Sequence, residues 1–112
     1  MIEVTILEYL QESMNCPVHA EEPDGVNPRY LVIEKTGSSA EENMLITSMI
    51  AVKSYGQSLL DAMTLNELVK AAMMEACSLD EVTDVSINSD YNFSDTQRKR
   101  YRYQAVFDIT HY

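Results

Sequence analysis

Apolar residues recur along this chain in two periods, about 3.6 and 2 residues, and the switches between them predict seven elements. Ile2, Ile6, Tyr9, Leu10 and Met14 share one side of a helical wheel, with Thr5, Glu8, Gln11 and Glu12 opposite. This predicts an amphipathic helix over residues 2–14. Asn15-Cys16-Pro17 ends it, because a residue before proline is pushed out of helical geometry. A short strand over 18–21 follows. Glu22-Pro23-Asp24-Gly25 then forms a turn, prolonged by Asn27-Pro28: proline presets one dihedral and glycine accepts positive φ.

Residues 30–35 are dense in β-formers and predict a strand. A polar loop over 37–43 joins it to a longer strand over 44–55, giving an antiparallel hairpin. In that longer strand Ile46, Ile50 and Val52 share one face, and Thr47, Met49, Ala51 and Lys53 the other. Gly56 breaks the run. Ser58 is placed as N-cap of a second helix over 59–77, with Asp61 three residues on approximating a capping box. Ala62, Leu65, Leu68, Val69, Ala72, Met73 and Ala76 cover the face expected to lie on the sheet. Leu60, Met63 and Met74 fall on the outer face beside Glu67, Lys70 and Glu75, and read either as scattered surface hydrophobics or as a subunit contact, which adaptable methionines suit.

Residues 82–91 predict a weakly alternating strand, with Thr83, Val85, Ile87 and Tyr91 against Asp84, Ser86, Asn88 and Asp90. Residues 92–95 turn the chain into a final strand over 98–112. There Tyr101, Tyr103, Ala105, Phe107 and Ile109 point one way, and Arg100, Arg102, Gln104, Asp108 and Thr110 the other. The order α, β, β, β, α, β, β predicts a two-layer α+β fold: a mixed, mostly antiparallel sheet of four to five strands with both helices on one face. At 112 residues the chain is expected to be a single domain, 1–112.

Charge changes this picture. Eighteen acids against eight bases give a formal net charge of -10, which disfavours nucleic acid as a principal partner. The exception is local: Arg98, Lys99, Arg100 and Arg102 hold half of the chain's basic side chains. A basic strand end on an acidic body suggests contact with an acidic surface, including that of further copies of the chain. The N-terminal stretch has no positive lead and reads as no signal peptide, and no stretch approaches the about 20 apolar residues that span a bilayer.

Candidate chemistry is sparse. Cys16 and Cys77 lack a CxxC spacing and read as free thiols of a reducing cytosol. Cys16 and His19 have a zinc-like gap, but Cys77 adds no closely spaced second pair. His111 is expected to be solvated. The acids Asp80, Glu81, Asp84, Asp90 and Asp95 form no EF-hand pattern, and no catalytic motif is present. The residues therefore predict no enzyme, no cofactor and no metal. The Asn/Ser/Asp-rich run 88–95 is expected to shape a hairpin through side chains that bond their own backbone. Tyr101 and Tyr103, interleaved with the basic cluster, could stack single-stranded bases, but their register assigns them to packing.

The block Ile87-Asn88-Ser89-Asp90-Tyr91-Asn92-Phe93-Ser94-Asp95-Thr96, continuing through Tyr101-Arg102-Tyr103-Gln104-Ala105-Val106-Phe107-Asp108-Ile109-Thr110, resembles small phage and prophage proteins. These are the tail-terminator or minor tail-component proteins of long, non-contractile-tailed phages. The segments 30–37 and 50–56 fit the same likeness. The resemblance implies a non-enzymatic structural protein that caps the tail tube and joins tail to head, assembling as a ring, typically a hexamer. It implies a small mixed sheet with packed helices, and as partners further copies, the tail tube protein and head-connector proteins, with DNA passing through the ring. It places the protein in the virion tail, assembled in the bacterial host cytoplasm. A head-connector adaptor or tail-assembly chaperone of the same module is the alternative. Charge and periodicity alone, without a family motif, put Arg98, Lys99, Arg100 and Arg102 at a subunit boundary or facing the ring lumen.

Overall fold

The computed structural model describes every residue except 26, 27, 41–43, 96 and 99, and of residue 40 only the backbone. The elements are α1 (Ile2–Ser13), β1 (Val18–His19), β2 (Tyr30–Ala40), β3 (Ile46–Gly56), α2 (Leu59–Met74), β4 (Val82–Asn92) and β5 (Tyr101–His111). A 3-10 turn at Ala76–Ser78 links α2 to β4. The strands form one mixed sheet in the order β1-β2-β3-β5-β4, with β1 parallel to β2 and the remaining neighbours antiparallel. This is the α+β architecture expected from the periodicity.

Both helices cover one face of the sheet. Ile2, Ile6 and Leu10 of α1 and Leu65, Val69 and Met73 of α2 share one core with Leu31, Ile33, Ile50, Val52, Ala105, Phe107 and Ile109. Burying such side chains contributes about 1.5–3 kcal/mol each, so this layer contact dominates stability. The start of α2 is fixed locally: the Ser58 Oγ accepts the Asp61 N–H at 3.1 Å, and the Asp61 carboxylate accepts the Gln57 N–H at 3.0 Å. Gly56 sits where a Cβ would lie 2.5 Å from the Ala62 nitrogen, so a side chain there would force the start of α2 to shift.

Several boundaries differ from expectation. Gly37 to Ala40 belong to β2 rather than to a polar loop, pairing with Met49 to Ile46 after a bulge between Lys35 and Gly37; the rest of that expected loop lies outside the described residues. Small polar residues can join a ladder whose bonds are made by backbone. β5 begins at Tyr101, not Arg98, because the Asp95 carboxylate accepts the Gln97 and Arg98 N–H groups and closes a turn. The second helix ends at Met74. Leu68 is 50% exposed, while Asn66 takes a buried place in the face assigned to it. At roughly 100° per residue, Asn66 lies nearer than Leu68 to the middle of the arc set by Leu65, Val69 and Met73.

β4 carries two register shifts, at Val82/Asp84 and Ile87/Ser89. The second reverses the faces. Ile87 stays beside Phe107 on the helix side, but Tyr91 pairs with Gln104 on the open side and Asp90 turns towards α2. Tyr91 therefore does not share a face with Val85 and Ile87, contrary to the simple alternation.

Candidate functional site

The open face of the sheet, away from the helices, is mostly polar, and one end of it gathers chemistry from four segments. Tyr30 of β2 and Tyr55 of β3 are register partners and stack, with ring centroids 4.4 Å apart and planes 12° from parallel. Arg102 pairs with Tyr55 from β5, so its side chain lies on the same face. Its guanidinium sits 4.4 Å from the centroid of the Phe93 ring and 5.8 Å from that of Tyr55, while Nε donates to the Phe93 carbonyl at 2.6 Å. Arg100 lies over Tyr55 at 5.3 Å and donates to the Tyr30 hydroxyl.

Glu22 closes the cluster. Its two carboxylate oxygens accept the Tyr30 hydroxyl at 2.9 Å and the Tyr55 hydroxyl at 3.0 Å, and Arg100 Nη2 lies 2.6 Å away. Burial works against the Glu22 charge, but the two hydroxyls and the charges of Arg100 and Arg102 outweigh it and hold its pKa below the usual carboxylate value. Tyr30 is pushed up to about 12, first by burial and then by its bond to Glu22. The carboxyl, the two phenols and the two guanidine groups of the cluster are each engaged with another. Such a set holds the loop before β2 and the β4–β5 turn onto the sheet end. It presents no free base, acid or nucleophile.

The expected site residues are thus divided. Arg100 and Arg102 are engaged within the chain. Arg98 sits in the β4–β5 turn with its side chain 80% exposed, 3.9 Å from the Asp95 carboxylate. Lys99 lies outside the described residues. Leu60, Met63 and Met74 are 71%, 40% and 38% exposed, aligned with exposed Ala71 along one side of α2. The tyrosines that flank the arginines are Tyr30 and Tyr55, not Tyr101 and Tyr103, which register opposite Gly56 and Ser54 on the other face.

A second polar cluster joins α2 to β4. Asp90 accepts Asn66 Nδ2 at 2.6 Å and Lys70 Nζ at 2.5 Å, and Lys70 also lies 2.8 Å from Glu67. These two carboxylate contacts, that to Asp90 first, raise the Lys70 pKa. The bulge in β4 is what turns Asp90 towards the helix, so the spacing of residues alone gave no signal of this contact.

His111 is buried rather than solvated: its Nε2 faces the Ser48 Oγ at 2.8 Å and its Nδ1 the Tyr112 carbonyl at 3.0 Å. Cys16 and Cys77 are free thiols, and burial pushes the Cys16 thiol up, away from a reactive thiolate. Among the described residues no three His, Cys, Asp or Glu side chains converge as metal ligands. No helix among them is long and apolar enough to cross a membrane. No family model matches the sequence, and no curated protein is significantly similar to it.

Proposed function

We propose that this chain is a non-enzymatic building block of a long, non-contractile phage tail, a terminator that caps the tail tube and helps join it to the head as a ring of copies. The observation that carries this reading is the exposed side of α2, where Leu60, Met63, Ala71 and Met74 face solvent around Glu67 on an acidic chain. Adaptable methionine and leucine side chains in one stripe suit a surface covered by another subunit. A mixed sheet with both helices on one face also agrees with the fold implied by the resemblance of the 87–110 block.

In this reading α2 supplies the subunit contact, Arg98 lies exposed on the turn beside Asp95, and Arg100 and Arg102 stiffen the sheet end that carries the turn. Net negative charge keeps DNA passing through the ring from adhering to it. The test replaces Leu60, Met63 and Met74 by serine together. Sedimentation with tail tubes should show the wild type assembling onto tube ends and the triple variant remaining free, with unchanged thermal melting. Electron microscopy of phage lacking this protein should show overlong tubes or unattached heads; empty heads would favour a connector role instead.

A further inference from the structure

β1 is two residues long, whereas its neighbour β2 runs for 11. Their pairing covers Leu31 and Val32, and past Val32 the outer side of β2 has no strand neighbour among the described residues. The Leu31 N–H donates outward to the Pro17 carbonyl at 2.9 Å, so the two-residue period turns the backbone of Ile33 and Lys35 to the same side. Residues 34–36, 38 and 39 are exposed.

Where β1 stops, a groove of about 300 Å³ opens between α1 and this edge, lined by the apolar Val4, Leu7, Ala20 and Ile33 together with Glu3 and Lys35. The two rims of the sheet differ. The outer strand β4 is broken by two register shifts, against one in β2 between Lys35 and Gly37, and carries Asp84 and Asp90, devices that discourage strand addition. On β2, residues 36–40 carry neither charge nor proline.

We propose that the β2 edge and its groove dock an extended strand of a partner protein, which prolongs the sheet where β1 ends. Only an extended peptide satisfies a row of backbone donors and acceptors, and every second side chain of such a strand would drop towards Val4 and Leu7. The partner segment carries apolar residues in alternation and a basic flank. Glu3 and Glu34 outnumber Lys35 along the groove, and the whole chain stands at -10. A second copy is the poorer occupant, because it brings the same net charge and its other edge is bulged. The proposal stands whether or not the chain caps a tail tube.

The probe is a fluorescein-labelled peptide alternating valine and threonine with a lysine at each end. The control has the same residues scrambled around a central proline. Fluorescence anisotropy with the full chain should give a Kd of about 100 µM or tighter for the probe and at least about tenfold weaker binding for the control. Val4→Lys, at a position 42% exposed, should weaken the probe at least about tenfold without lowering the melting temperature. Lys35→Pro, which removes an outward N–H, should do the same, and Val4→Lys decides alone if that variant does not fold. No binding to the wild type below about 1 mM, equal binding of the control, or indifference to Val4→Lys overturns the proposal. Self-association of the wild type that Val4→Lys abolishes overturns it too, by making the occupant a second copy.

Discussion

Replacing Glu22 by glutamine takes the negative charge from between two arginines and two phenol donors, and the consequence is felt above the carboxylate range and fades in acid. Because the fold holds the Glu22 pKa below its unfolded value, its contribution is fully present above the ordinary carboxylate range. It is lost as pH falls through the folded value. Urea unfolding of the wild type from about pH 6 to about pH 3 should therefore lose an increment of stability that Glu22→Gln never had. The Glu22 side chain is 44% exposed, so solvent screening keeps that increment small. Tyr30 has the opposite sense. Its fold-stabilised form is the neutral phenol, so its contribution holds below the ordinary value of 10.0 and disappears as pH rises through about 12. Thermal melts at rising alkaline pH should fall more steeply for the wild type than for Tyr30→Phe. These partners were illegible in the sequence for a simple reason: Glu22 meets a tyrosine 33 positions away, and Arg100 meets one 70 positions away. The Ser58–Asp61 cap was legible because both of its bonds close within four residues.

Elements were legible wherever period and stop signals coincide. The α1 stripe, the proline that ends it, the β2–β3 hairpin and the alternation of β5 all follow from local pattern, and they fix the element order. Register did not follow, since a bulge adds a residue without changing composition. In β4 that addition moves Asp90 to the helix side and Tyr91 to the open side. The passage from β3 to α2 shows how tightly one boundary is drawn. In Gly56→Ala the new Cβ would meet backbone rather than a yielding side chain, with the Ala62 nitrogen at 2.5 Å and the Asp61 carbonyl carbon at 2.9 Å. The first turn of α2 must shift, at a cost of about 1–3 kcal/mol, comparable to overpacking a core. Ser58→Ala should cost about 1 kcal/mol by leaving the Asp61 N–H without its partner. Denaturant unfolding of both variants should place Gly56→Ala as the less stable. The reverse order would mean that the cap, and not the close approach, sets this boundary.

At the scale of the whole molecule, two kinds of contact between copies make opposite demands on salt. The basic run 98–102 suggests attraction between a positive turn and an acidic neighbour, and such a contact weakens as salt screens it. The arrangement of charges points the other way. Arg29, Lys35, Lys53, Lys70 and Arg100 each lie within 3.7 Å of a carboxylate of their own chain, and Arg102 is stacked on Phe93. What a second copy meets is then a chain of net charge -10 on which Leu60, Met63 and Met74 are exposed. Raising the salt from 0.15 M to 1 M shortens the Debye length from about 8 Å to about 3 Å, removing repulsion while leaving apolar burial intact. Association of copies, followed by sedimentation velocity across that range, should therefore strengthen with salt. It should also vanish in the Leu60, Met63, Met74 serine variant at every salt concentration. Association that weakens with salt, and that Arg98→Glu abolishes, would place the subunit contact on the β4–β5 turn instead.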